Sequence, residues 1–188
     1  MTRILGRDPE LYPLYSQGFF TIIPTGEIIQ VVDFRYYEKT GYYERILRNK
    51  QLLRREKELL RKGMENILGE EKIIINGKNV SWRVLDPNII LHDTNHPEIV
   101  FHVAIEFEAR PGRNVYEEYY EKTVVEYPYT AFWILPGCMK LLDVEASGEI
   151  RVTNEGRLLV ISVKKGETVD GYEGLIFDNK CHAIPGSQ

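Results

Sequence analysis

The stretch GYYERILRNKQLLRREKELLRKGMENIL, residues 41–68, is where the fold of this chain is decided. Ile46, Leu53, Leu60 and Ile67 recur every seven residues, with Leu52 and Leu59 beside them and Met64 and Leu68 at the end. That recurrence gathers apolar side chains into one stripe of an α-helix. Thr40 offers a hydroxyl to the free amides of the first turn, and Gly69 stands where helices commonly end. The companion heptad positions hold Asn49, Glu56 and Gly63, which do not suit a coiled-coil seam. The pattern therefore predicts one long amphipathic helix, laid by its leucine stripe on the face of a sheet.

Outward from this segment the chain reads as β. Upstream, apolar runs at 19–23 and 28–34 flank Pro24-Thr25-Gly26-Glu27, which predicts a β-hairpin over 17–35. Residues 1–16, with Pro9 and Pro13, read as an irregular N-terminal arm. Downstream, Asn76-Gly77 is a strong hairpin turn, since both residues tolerate positive φ. Ile99, Phe101, Val103, Ile105 and Phe107 alternate with increasingly polar neighbours, and Arg110-Pro111-Gly112-Arg113 turns into a strand rich in Tyr and Glu. Residues 129–135 and 158–163 are apolar on both faces, as central strands are. Short turns imply antiparallel neighbours across a β body of 72–177, followed by a loose tail at 178–188. The expectation is a single α+β domain over 1–188. Its mostly antiparallel strands, roughly eight to ten, form a curved sheet, half-barrel or sandwich, with the long helix on one sheet face.

With 43% hydrophobic and 28% charged residues, the composition is that of a globular protein, and no run of about 18 apolar residues would span a bilayer. The first eight residues lack the apolar core of a secretory signal, so the expected compartment is the cytoplasm. Nineteen Ile, 21 Glu and 12 Tyr against 5 Ala and 4 Gln give the composition a thermophile-like tilt. Cys138 and Cys181 stand 43 positions apart, outside any metal or redox spacing. They read as two ordinary thiols, with a disulfide as the alternative for a hyperthermophilic host.

Charge is unevenly spread. Residues 41–68 hold eight Lys or Arg and four Glu, a local +4, so against the net −4 the remainder sums to −8. Lys50, Arg54, Lys57 and Arg61 are spaced four, three and four apart, which aligns them on one face of a basic helix. Two explanations stand for this ladder. Glu58 and Glu65 can neutralise it within the helix, or it meets an anionic partner, either nucleic acid or an acidic protein surface. Tyr36, Tyr37, Tyr42 and Tyr43 lie near the start of the helix, where rings can stack on bases. No nucleic-acid-binding module is present, and the isoelectric point is 5.7.

A second cluster is His92-Asp93-Thr94-Asn95-His96-Pro97-Glu98 with His102, which puts three of the four histidines within 11 positions. Imidazole and carboxylate are ligands for a divalent metal such as zinc, iron or manganese. If Pro111-Gly112 makes a tight turn, Glu121 falls opposite His102 and Glu117 opposite Glu106, a like-charge face that a cation would relieve. The simpler account of the cluster is a polar surface loop. No G-x-S-x-G elbow, Walker loop, dinucleotide fingerprint or Cys-His nucleophile arrangement occurs. The first functional expectation is a non-enzymatic binding or scaffolding domain that uses Lys50, Arg54, Lys57 and Arg61. The alternative is a metal-binding protein or metal-dependent enzyme centred on His92, Asp93, His96 and His102. A third is a subunit of a homo-oligomer, joined through the helix or an exposed strand edge.

Overall fold

The structure, a computed structural model, describes residues 11–181. It is mostly β, with strands carrying 56% of those residues and helices 17%. The first sheet has eight strands, ordered β12 (Glu149–Thr153), β13 (Leu158–Val163), β10 (Tyr129–Ile134), β1 (Leu11–Ile23), β2 (Glu27–Glu38), β7 (His96–Glu106) and β5 (Arg83–Val84), with β6 (Asn88–Asp93) also on β7. The second has five, ordered β11 (Met139–Glu145), β15 (Tyr172–Asn179), β8 (Gly112–Tyr119), β3 (Lys72–Ile75) and β4 (Lys78–Val80). A two-stranded ribbon pairs β9 (Thr123–Val124) with β14 (Thr168–Val169).

This overturns the α+β class and the long sheet-covering helix. Residues 41–68 form a six-residue α1 (Tyr42–Leu47) and a separate 20-residue α2 (Lys50–Gly69). The break is Asn49, whose Oδ1 accepts from the amides of Gln51 at 3.0 Å and Leu52 at 3.1 Å. A side chain that takes these amides starts a new helix instead of continuing the old one. The leucine stripe does not lie along a sheet over its whole length. Leu52 and Leu59 are 46% and 50% exposed, and α2 buries only Glu56, Leu60 and Met64.

Other boundaries differ as well. β1 begins at Leu11, so 11–16 are strand, and the register slips between Pro13 and Tyr15 because proline has no N–H to donate. Residues 1–10 of the arm and 182–188 of the tail lie outside the described residues. The first sheet is mixed, since β1 and β10 run parallel from Ser16 beside Tyr129 to Thr21 beside Ile134. β7 and β8 do not form a hairpin. β7 pairs with β2 while β8 pairs with β15 and β3, so Glu117 lies opposite Gly174 and never faces Glu106.

The two sheets share one core, centred on Trp133, Tyr116 and Phe177, all fully buried. A second core forms where Leu60 and Met64 of α2 meet Phe34, Phe101 and Val103 of the first sheet. Cys138 and Cys181 form a disulfide with Cα atoms 5.0 Å apart, which corrects the reading of two free thiols. Sequence spacing does not reveal it. The pairing of Met139 with Asn179 at the ends of β11 and β15 is what brings the two cysteines together.

Glu56 is the buried joint between the helices, accepting from Tyr42 Oη at 2.9 Å and Tyr43 Oη at 3.2 Å. Tyr43 is fully buried, so Glu56→Ala leaves its hydroxyl without that acceptor in an apolar setting. We expect Glu56→Ala to lower unfolding stability by about 1–3 kcal/mol and Glu56→Gln by clearly less, read from urea denaturation. Equal losses for the two variants would contradict the assignment.

Candidate ligand cavity

The inner faces of the two sheets change character at the same end. On β1 the alternation points Ser16, Gly18, Phe20 and Ile22 inward, and the parallel register sets Gly18 beside Ala131 and Phe20 beside Trp133. Phe20 and Trp133 stack at 4.3 Å, whereas the glycine and alanine leave space next to them. On the facing sheet, β8 and β15 run from the core pair Tyr116 and Leu175 to the pair Glu118 and Glu173, directly opposite one another. Small residues on one side and carboxyls on the other enclose a cavity of about 860 Å³. Gly63 and Met64 of α2 and the ring of Trp82 complete its wall, and exposed Glu70, Glu121 and Val124 stand at its rim.

Three carboxyls converge here. Glu71, just ahead of β3, hydrogen-bonds the Glu118 side chain. Tyr116 Oη donates to Glu118 at 2.7 Å, and Trp133 Nε1 donates to Glu173 at 2.9 Å. Trp82 flanks Glu118, and its indole N–H, though buried, makes no well-formed hydrogen bond. All three carboxyls are wrapped by protein, yet each keeps surface on the cavity. Like charges directly opposed on neighbouring strands are unfavourable. Burial, followed by the Glu118 charge, pushes Glu173 up to about 8. Glu71 and Glu118 are also raised, both chiefly by burial. At neutral pH the cluster therefore retains protons.

The residues singled out in the sequence lie elsewhere. Of the cation ladder, Lys57 pairs with Asp86 at 2.5 Å, and Arg61 pairs with Glu58 at 2.9 Å and with Glu65. Among the described residues no ion pair engages Lys50 or Arg54. A basic helix is thus a poor description of α2, where Asp86, Glu58 and Glu65 meet Lys57 and Arg61 of the ladder. The nearby tyrosines do not form a stacking platform, since Tyr36 and Tyr43 are buried and Tyr42 is tied to Glu56.

The histidines do not converge. His92 Nε2 contacts Glu98 at 2.6 Å, His96 Nδ1 contacts Asp93 at 2.8 Å, and His102 lies on β7 opposite Val31. Among the described residues, no three His, Cys, Asp or Glu side chains are grouped to hold a metal ion. Glu106, on β7 of the first sheet, stands near Arg83 at 3.5 Å, whereas Glu121 follows β8 of the second sheet at the cavity rim. Sequence reasoning missed Glu71, Glu118 and Glu173. The only local signal was the Glu-Tyr-rich strand at 115–119, where one of two adjacent glutamates has to face inward.

No protein-family model matches the chain, and no curated protein does. Among solved structures, it is similar to the AChBP of Bulinus truncatus, at 12% identity over 94% of this chain and 92% of that one, with a TM-score of 0.26. Overlap at that level carries no argument about fold or chemistry.

The raised carboxyl yields a prediction about pH. Glu173 ordinarily titrates near 4.5, and its folded value is about 8, so the unfolded chain loses this proton first as pH rises. Its contribution is fully present below 4.5 and is lost as pH climbs through 8. Thermal melts from acid to mildly alkaline pH should show ligand-free protein losing stability across that window, and Glu173→Gln losing less. An identical pH dependence in both proteins would refute the buried protonated carboxyl.

Proposed function

We propose that the chain is a binding protein for a small organic cation. The cationic group would sit against Glu71, Glu118 and Glu173, and the apolar body against the rings that line the cavity. The supporting observation is an aromatic cavity of about 860 Å³ whose carboxyls meet no Lys or Arg in any ion pair among the described residues. Small-molecule sites run roughly 300–1,000 Å³ and combine apolar walls with a few convergent polar groups. Phe20, Trp82, Tyr120, Tyr127 and Tyr129 belong to this wall, and aromatic faces attract cations through their quadrupoles.

Burying a carboxylate without a countercharge is costly, so the empty site holds protons instead. An ammonium or guanidinium group supplies the missing charge, and binding exchanges protons for the cation. Among the described residues no helix is long and apolar enough to cross a membrane. A cytoplasmic setting is compatible with the Cys138–Cys181 disulfide in a hyperthermophilic host, as the Ile- and Glu-rich composition favours.

A panel of primary amines and quaternary ammonium compounds, set against alcohols and carboxylates of matched size, tests this by thermal shift and calorimetry. Cations should stabilise the fold by about 2.7 kcal/mol at a hundred times Kd, while the neutral and anionic analogues leave it unchanged. Ala131→Phe, which fills the floor of the cavity, should abolish the effect. Cations that bind no better than their neutral analogues, or that bind Ala131→Phe equally well, would rule the proposal out.

A further inference from the structure

Among the described residues the last strand of the eight-stranded sheet, β12, pairs only with β13, and all five of its residues are exposed. Its free edge therefore offers unpaired backbone donors and acceptors to any strand that lies alongside. The other edges are blunted. β4 and β5 have three and two residues, and the registers of β6 and β11 slip between Leu91 and Asp93 and between Leu141 and Asp143. Bulges of this kind twist an edge away from partners. β12 pairs with β13 in unbroken register, and among the described strands it is the regular free edge.

The side chains of β12 point the same way. Ile150 and Val152 lie opposite Ile161 and Leu159, which are 1% and 0% exposed, so all four occupy the core face of the sheet. Ile150 and Val152 nevertheless remain 37% and 45% exposed, because the second sheet does not reach that far. On the opposite face, among the described residues, Glu149 and Arg151 pair only with each other, at 3.1 Å, with side chains 62% and 70% exposed.

The geometry points to a second copy of this chain as the partner of that edge. We propose an isologous dimer in which two β12 strands pair antiparallel about a two-fold axis at Ile150. That register sets Glu149 of each copy opposite Arg151 of the other, twice, and brings the two Ile150 side chains together. Any other strand would need its own matching charges, whereas this one complements itself. The eight-stranded sheets become continuous across the axis, and the two Ile150 side chains cover one another, with Val152 opposite Gly148 of the other copy.

Sedimentation or light scattering at micromolar concentration should give twice the 21.9 kDa chain mass. Arg151→Glu and Glu149→Arg, each alone, put like charges opposite one another at two places and should weaken association by about ten-fold or more. The doubly exchanged protein, Glu149→Arg with Arg151→Glu, restores complementarity and should dimerise again. Ile150→Cys should crosslink into dimers under mild oxidation, since both native cysteines are already paired. A monomeric wild type, single variants that dimerise undiminished, or an Ile150→Cys protein that does not crosslink would each overturn the proposal. A wild-type monomer that binds extended peptides at β12 would instead assign the edge to a different protein.

Discussion

Leaving a buried indole N–H without an acceptor is costly, and Trp133 finds its acceptor across the gap between the sheets, in Glu173. Much of the interior follows from that bond. It fixes β10 of the first sheet against β15 of the second, with Phe20 stacked on one side of the indole and Tyr116 edge-on at 4.9 Å. The same bond draws a carboxyl into the gap. Because β15 pairs with β8, it arrives opposite a second carboxyl, Glu118, with Glu71 bonded to that one. A core that began as ordinary apolar packing thus ends in a polar row that has to stay protonated or find a cation.

The cavity is the other consequence of the same register. Had β1 carried large side chains opposite Ala131, the gap beyond Trp133 would be filled and the carboxyls would be sealed in. Gly18 and Ser16 leave it open instead. The arrangement costs stability in the ligand-free protein at neutral pH, since each raised carboxyl favours the unfolded chain once the unfolded group has ionised. A fold tolerates such a cost where a site needs it, and the Trp133 indole accounts for only one of the three acids, Glu173.

Local chemistry was the legible part of the sequence. Asn76 and Gly77 adopt φ of 53° and 79°, the positive values for which such a pair is suited, and Gly26 takes φ of 106° between β1 and β2. Periodicity misled where one residue outweighed it. The heptad count runs through Asn49 without interruption, yet the Asn49 side chain ends one helix and begins another. Proximity in sequence misled at the histidines, where His92 and His96 settle into separate pairs with Glu98 and Asp93. The candidate site was the least legible, because Glu71 just ahead of β3, Glu118 on β8 and Glu173 on β15 are far apart in the sequence. Only the pairing of β3, β8 and β15 makes them neighbours. The parallel contact of β1 with β10 and the disulfide are non-local in the same sense, with no turn or spacing to announce them.

The proposed exchange of protons for an organic cation in the cavity is measured directly by calorimetric titration in two buffers of different ionisation enthalpy. At neutral pH the observed heat of binding an ammonium ligand should differ between the buffers by the amount that corresponds to proton release, and Glu173→Gln should shrink that difference. Binding heats that are the same in both buffers, or a proton release untouched by Glu173→Gln, would contradict the account.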